Sequence, residues 1–284
     1  QAVPSETTRE QLAQLMVGRP VKLVPDRPPS SPGAVVLSVA GITVGGDRRE
    51  VAVAGVDLQV RGGEVVGIAG VSGNGQRELA DAIAGLRPVV SGKVEINGVE
   101  TTNFTPRQSR AAGLAYVPEE RMRDGAIGEF SVWENLVLLD HDKVPNATRG
   151  FLQIRAIRER SKKMVADYAV KTPGVDTPVR SLSGGNIQKV IMAREMSAAC
   201  GVLIVAQPTR GVDIGAAEYI HARIIAARTG GMGVLLISED LDEVLGLSDR
   251  IAVMFEGRVV DLLERDVCTA ERLGMLMAGG DPQT

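Results

Sequence analysis

Aromatic side chains are scarce in this chain: tryptophan, tyrosine and phenylalanine together make up only 3% of its 284 residues. Proteins that hold single-stranded nucleic acid stack bases on such rings, and no stacking surface can be built in quantity here. Positive charge is not in excess either. The formal net charge is −3, opposite in sign to a phosphate-backbone binder. Nucleic acid is therefore not an expected partner. Cysteine occurs twice, as Cys200 and Cys268, without metal-ligand or redox spacing. Idle thiols fit a reducing compartment. The two histidines, His141 and His221, lie in unrelated segments and carry no motif. No metal site is expected. No apolar run approaches the ~20 residues of a membrane span, and the N-terminus lacks a basic-then-apolar signal. Work at a membrane would have to run through an embedded partner.

Glycine, by contrast, is plentiful, with 33 residues gathered in places where backbone must approach something closely. Hydrophobic residues at 44% and charged residues at 24% are ordinary for a globular protein. Residues 1–33 read as an appendage: a short helix over Thr7–Val17, then an extended linker carrying Pro20, Pro25, Pro28, Pro29 and Pro32. The segment Thr8–Arg19 is echoed by Thr269–Gly280, with six of twelve positions identical and a spacing of 261 residues. A tandem duplication leaves such an echo. The first residues are accordingly expected to be the tail of a preceding, similar domain, with a second domain over 34–280.

Within that domain, Ala34–Val39 and Val51–Val60 predict an antiparallel β layer. Glu64–Ala69 predicts a buried strand, Gln76–Gly85 a helix, and Pro106 opens a short helix at its first position. Ser131–Thr177 is polar and helical in period, most clearly over Ile154–Ala169. Strands at Val202–Val205, Gly233–Ile237 and Ile251–Phe255 alternate with helices at Ile214–Arg228 and Asp240–Gly246, which predicts a parallel sheet wrapped by helices.

The loop Gly70-Val71-Ser72-Gly73-Asn74-Gly75-Gln76-Arg77 follows a strand and opens a helix. Gly70, Gly73 and Gly75 let successive N–H groups turn inward as an anion nest at a helix N-terminus. A phosphate loop of this type carries Lys and then Ser or Thr where Gln76 and Arg77 stand. Gln76 brings no point charge to the phosphates, and Arg77 puts a bulky cation where a small hydroxyl would bind Mg²⁺. Arg77 either swings in as a substitute or faces outward or toward the sheet. Downstream, Val202–Val205 runs into Ala206-Gln207, where an acidic pair would hold metal and activate water. Ala206 has no carboxylate, and Gln207 cannot take a proton. Ser183-Gly184-Gly185-Asn186 is intact: Ser183 is placed to cap a helix beginning near Asn186, with the two glycines exposing N–H groups at its positive end. The acids Glu239, Asp240, Asp242 and Glu243 read as a helix start with Ser238 as N-cap rather than as a metal cluster. The basic run Arg155, Arg158, Arg160, Lys162 and Lys163 reads as a solvated helix face, with permease or lipid-headgroup contact as the alternative.

Taken in order, these segments resemble the nucleotide-binding domain of an ATP-binding-cassette (ABC) transporter over about residues 34–280. Gln207–Asp213, Ser183–Asn186 and Pro118–Arg121 resemble the C-terminal ATPase half of sugar and nucleoside importers. The resemblance implies a P-loop α/β fold: a RecA-like core with a parallel sheet, an antiparallel β layer, and a helical subdomain at about 118–182. It implies that Ser183, Gly184, Gly185 and Asp213 act in trans, completing a composite ATP and Mg²⁺ site on a partner domain. It places Glu119 where the family has a metal-sensing Gln, and Glu239 where it has a switch His. With Gln76, Arg77, Ala206 and Gln207 also altered, this half is expected to bind nucleotide weakly or not at all. The implied partners are an N-terminal nucleotide-binding domain of the same polypeptide, membrane permease subunits and, indirectly, a substrate-binding protein. The implied location is peripheral, on the cytoplasmic face of the membrane. Nucleosides are the expected cargo, with pentoses or galactosides as the alternative. A self-sufficient unconventional ATPase and a permease-free soluble ABC protein are the rival readings.

Overall fold

The computed structural model describes residues 25–29, 31–47, 50–197 and 200–280. The expected helix over Thr7–Val17 and the N-terminal copy of the sequence echo lie outside the described residues. In chain order the strands are β1 (Val35–Gly45), β2 (Val51–Arg61), β3 (Val65–Ala69), β4 (Val89–Ile96), β5 (Val99–Glu100), β6 (Leu114–Val117), β7 (Ala147–Thr148), β8 (Phe151–Leu152), β9 (Val202–Ala206), β10 (Gly233–Ile237), β11 (Arg250–Phe255) and β12 (Arg258–Glu264). The helices are α1 (Gln76–Ile83), α2 (Pro106–Ala111), α3 (Val132–Val137), α4 (Ile154–Asp167), α5 (Gly184–Glu195), α6 (Ile214–Thr229), α7 (Leu241–Leu247) and α8 (Ala270–Met277). The chain divides into two compact units, one comprising residues up to Tyr116 with Cys200–Gln207 and everything from His221, the other Val117–Ala199 with Pro208–Ile220.

In the first unit, β1 and β2 pair antiparallel, as their alternating burial dictates, in a four-stranded sheet of order β2-β1-β4-β5. The other sheet has six strands in the order β12-β11-β3-β10-β9-β6. Every residue of β3, β9 and β10 is buried, the mark of central strands covered on both faces. These strands are parallel, with Ile237 opposite both Ile68 and Ala206. The loops after β3, β9 and β10 therefore leave from one end of the sheet, where α/β proteins place ligands. Leu37, Val39 and Ile42 of the antiparallel layer share a core with Ile68, Ile204 and Leu235 and with Leu79 of α1. Val244, Leu273 and Leu276 of α7 and α8 form a second cluster with Ala69, Ile251 and Val253.

In the second unit the stretch Ser131–Thr177, expected to be helical in period, is instead two helices, α3 and α4, separated by the β7–β8 hairpin. Pro145 and Gly150 (φ 83°) supply the interruptions. Asn135 is fully buried and donates to the carbonyls of Ile127, Phe130 and Ser131, tying the loop before α3 to the helix. From Ile187 to Glu195 every residue of α5 is buried. The Arg194–Glu195 pair, 2.8 Å apart, supplies the mutual neutralisation that buried charges require. The boundary between the units falls inside α6.

Candidate functional site

The glycine loop is held in shape from several sides. Gly75 is the N-cap of α1 with φ 94°, and a Cβ there would stand 2.2 Å from the Ala52 carbonyl oxygen. Only glycine fits. Gly73 is also left-handed (φ 87°), and together they turn backbone N–H groups inward at the helix start. Asn74 pins the loop to the turn between β11 and β12: its Oδ1 accepts from Glu256 N at 2.7 Å, and its carbonyl from Gly257 N at 3.2 Å.

The two side chains that follow are each held by a neighbour. Gln76 is buried, and its Nε2 donates back to the Val71 carbonyl at 3.0 Å. A Cβ on Gly70 would lie 2.4 Å from that same nitrogen, so Gly70 makes room for the folded-back amide. Arg77 runs along α1 to Asp81, 3.6 Å away, and Asp81 also accepts from the Tyr116 hydroxyl at 3.0 Å. Arg77 is thus led along the helix to an aspartate that is itself tied to Tyr116 of β6.

At the ends of β9 and β10, Ala206 is buried and offers no side-chain oxygen. Gln207 adopts a left-handed backbone (φ 47°), unusual for a residue with a side chain and common at functional positions. Its N–H bonds the Ile237 carbonyl at 2.7 Å, and its Oε1 accepts from Glu239 N at 3.3 Å. Gln207 and Glu239 are thus brought together through the Glu239 backbone, with Glu239 itself exposed. The N-cap of α7 is Asp240, not Ser238 as the sequence suggested. Asp240 accepts from Asp242 N and Glu243 N at 2.9 and 3.3 Å, while buried Ser238 only receives the Asp240 N–H at 3.1 Å. Glu243 is engaged at 2.7 Å with His221, which is therefore a packing histidine.

In the second unit, α5 begins at Gly184, two residues before the expected start near Asn186. Ser183 occupies the N-cap position but makes no side-chain capping bond; its Oγ accepts instead from Asn186 Nδ2 at 2.8 Å. Gly185 is buried, and a Cβ there would meet Ala216 Cβ at 2.5 Å and Asp213 Oδ2 at 3.2 Å. Asp213 caps α6 through Ala216 N at 2.9 Å. Ser183, Gly184, Gly185 and Asp213 thus form one cluster. Glu119, at the position where the resemblance puts a metal-sensing Gln, is paired with the Arg210 guanidinium 91 residues along the chain.

Arg121 binds this cluster together, and sequence reasoning missed it. Its Nη1 donates to the Gly184 carbonyl at 3.2 Å and its Nη2 to the Arg210 carbonyl. A Cβ on Gly184 would lie 3.1 Å from Nη1, and one on Gly211 2.9 Å from Nη2. Both glycines leave space for the guanidinium. Burial draws Arg121 below the usual arginine range, opposed by the neighbouring Glu120 carboxylate. The only signal in the sequence was its place beside Pro118-Glu119-Glu120, opening a single π-helical turn at Arg121–Gly125. Lys189 is a second such residue: its Nζ donates to the Ala169 carbonyl at 3.1 Å and sits 4.5 Å over the Tyr219 ring, clamping α5 in place.

Chemically, the α5 N-terminus offers an anion the helix's positive end, two glycine N–H groups and one hydroxyl. The loop over Gly70–Arg77 offers backbone N–H groups, with Gln76 and Arg77 engaged on Val71 and Asp81. Among the described residues no group of three or more His, Cys, Asp or Glu is placed to hold a metal ion.

The family model described as ABC transporter matches residues 53–210. The guanosine import ATP-binding protein NupO of Bacillus subtilis (strain 168) is 42% identical over 274 residues, covering 96% of this chain and 54% of the relative. The nucleoside import ATP-binding protein NupA of Lactococcus lactis subsp. cremoris (strain MG1363) is 42% identical over 276 residues, 97% of this chain and 54% of its own length. The ribose import ATP-binding protein RbsA 2 of Rubrobacter xylanophilus (strain DSM 9941 / JCM 11954 / NBRC 16129 / PRD-1) is 41% identical, covering 93% and 50% respectively. The chain thus spans about half the length of the curated relatives it matches. Among solved structures, the dimeric bacterial ABC transporter cassette MJ0796 superposes with a TM-score of 0.69 at 21% identity, covering 81% of this chain and 98% of that one. The cassette MJ1267 gives 0.70 at 22% identity over 88% and 97%. At such identity the likeness carries the fold: a cassette of mixed α/β structure with parallel and antiparallel sheets and added helices.

Proposed function

The chain is an ATP-binding protein of the ABC transporter family, and from that premise we propose that it is the second, C-terminal nucleotide-binding half of an importer ATPase. In this reading its own phosphate loop is chemically disabled. It works by presenting Ser183, Gly184, Gly185 and the loop to Asp213 to an ATP site on a preceding nucleotide-binding domain. The observation that carries the reading is the state of Gln76 and Arg77: one amide folded back on Val71, one guanidinium led away to Asp81. Neither is a cation aimed at phosphate. Mg²⁺ does not fit this half, since Arg77 and Ala206 bring no oxygen ligand.

ATP held between the domains supplies the terminal phosphoryl group whose transfer to water drives transport. The contribution of this chain is positional and electrostatic. Ser183 donates a hydrogen bond from the α5 N-terminus, and Gly184 and Gly185 add N–H groups. Asp213 orders the crossing loop by capping α6. Permease subunits carry the resulting movement through the membrane, and a substrate-binding protein delivers the cargo to them. That places the assembly peripherally on the cytoplasmic face. The names of the two relatives at 42% identity favour a nucleoside as cargo, with simple sugars as the second candidate.

The test is ATPase activity and uptake by the full-length transporter in vesicles. Gly184→Asp sets a carboxylate beside the partner's phosphate and should cost ~100-fold or more in turnover. Gln76→Ala should leave turnover within about twofold, because the side-chain hydrogen bond it removes goes back to Val71 of its own loop. A harmless Gly184→Asp beside a fatal Gln76→Ala would reverse the division of labour. The rival self-sufficient ATPase predicts Mg²⁺-dependent turnover by the isolated chain that is lost with Arg77→Ala.

A further inference from the structure

Among the described residues, three helices carry a hydroxyl at the N-cap and a carboxylate or amide side chain three residues on, and they do not use it alike. At α3, Glu134 Oε2 accepts from both Ser131 N and Ser131 Oγ, at 2.7 and 2.5 Å. At α2, Gln108 Oε1 accepts from Thr105 N and Thr105 Oγ1, at 2.9 and 2.8 Å. In both, the hydroxyl proton is turned inward and spent on the helix start. At α5 the direction is reversed. The third residue is Asn186, and its Nδ2 donates to Ser183 Oγ at 2.8 Å.

The amide orientation is fixed by a further contact. Lys171 N, a group that can only donate, faces the other end of the Asn186 amide at 2.7 Å. The atom facing it must be the carbonyl oxygen, which leaves the NH₂ toward Ser183. An oxygen that receives a proton from Asn186 cannot aim its own O–H back at the same group. The Ser183 proton is therefore not spent on Asn186, and the side chain is exposed at the positive end of a twelve-residue helix.

The geometry points to Asn186 as a positioning residue that sets the polarity of the Ser183 hydroxyl, so that Ser183 meets its ligand as a donor. The relay runs from Lys171 N–H to Asn186 Oδ1, from Asn186 Nδ2–H to Ser183 Oγ, and from Ser183 O–H to an oxyanion outside. The ligand class is a terminal phosphoryl group or its transition state, and the inference rests on the proposed in-trans role of Ser183. A glutamate or aspartate at 186 would rebuild the inward arrangement of Ser131 and Glu134 and withdraw the donor.

The experiment is steady-state MgATP hydrolysis by the full-length protein assembled with its permease, comparing Ser183→Ala, Asn186→Asp, Asn186→Ala and the double change Ser183→Ala/Asn186→Asp. Asn186→Asp keeps the bond from Lys171 N and draws the hydroxyl proton inward through a charge-assisted bond. It should lower kcat ~100-fold, the usual consequence of losing one positioned donor to a developing phosphoryl charge, with a smaller change in KM. Asn186→Ala frees the hydroxyl to rotate and should cost less, on the order of tenfold. The double variant should be no slower than Ser183→Ala, since both act through one hydroxyl. An Asn186→Asp loss that persists in full on the Ser183→Ala background, or full activity of Asn186→Asp, overturns the relay. Full activity of Ser183→Ala instead overturns the in-trans reading beneath it, and the relay falls with it.

Discussion

Adding one methyl group to Gly185 should silence the partner site while leaving the fold standing. The new Cβ would lie 2.5 Å from Ala216 Cβ and 3.2 Å from Asp213 Oδ2. Carbon atoms settle at about 3.5–4.0 Å, so α5 and α6 must separate by about 1 Å at their N-termini. Ala216 cannot yield alone, because its N–H is bonded to Asp213 Oδ1 at 2.9 Å and belongs to the first turn of α6. The strain is that of an overpacked site, about 1–3 kcal/mol, which a domain of ordinary stability survives. The functional consequence is larger. A displacement of about 1 Å in a positioning group costs about 100-fold in rate. Gly185→Ala in the full-length transporter should therefore show a kcat roughly 100-fold down, with a melting temperature lowered by only a few degrees. A kcat within about twofold of the parent would refute the argument that Gly184–Asn186 and the loop to Asp213 act as one closely fitted body.

Three other outcomes are expected. The combined change Gln76→Lys, Arg77→Ser and Ala206→Asp should restore a phosphate cation and metal ligands, and raise MgATP affinity of this half at least tenfold by calorimetry, about 1.4 kcal/mol; unchanged binding would count against the loop side chains as the defect. Arg228→Ala removes the guanidinium that bonds Asp249 at 2.8 and 2.7 Å and the Pro28 carbonyl at 2.9 Å, leaving a carboxylate short of its partner, and should cost about 3 kcal/mol in urea unfolding. Glu64 is buried and its carboxyl is raised above 4.5 by desolvation, though Arg61 N and Arg250 oppose this. The folded state therefore holds that proton more tightly than the unfolded state, so this group adds stability as pH falls through its folded value. Glu64→Gln should accordingly compare more favourably with the parent at pH 7 than at pH 5, in urea midpoints at the two values.

The parts of this protein that announce themselves in sequence are those whose physics is local. The wholly buried strands β3, β9 and β10 read as unbroken apolar runs, and the glycines of the phosphate loop follow directly from the turn they make. Strand β12 was not legible, because its partner β11 shifts register between Val253 and Met254 and the burial pattern of Arg258–Glu264 does not match its paired valines and leucines. The start of α7 was misplaced because Ser238 and Asp240 are both good caps, and burial of Ser238 decided between them. The direction of Arg77, the pairing of Glu119 with Arg210 and the bridging by Arg121 depend on groups from four to 91 residues away. No spacing rule reaches the longer of these.

The pinning of the phosphate loop separates what the loop is for from what it is made of. Asn74 is bonded to the turn at Glu256–Gly257, and Gly75 and Gly257 each come so close to the Ala52 carbonyl that a Cβ would stand 2.2 and 2.5 Å away. The loop is a keystone between the antiparallel layer and the far hairpin, whatever binds in it. Mutational drift at such a site is uneven: side chains that served only phosphate can change freely once that service lapses, while the glycines stay under the constraint of closure. A glycine-rich loop in a cassette is for that reason a record of architecture, and the two residues after it are the record of use.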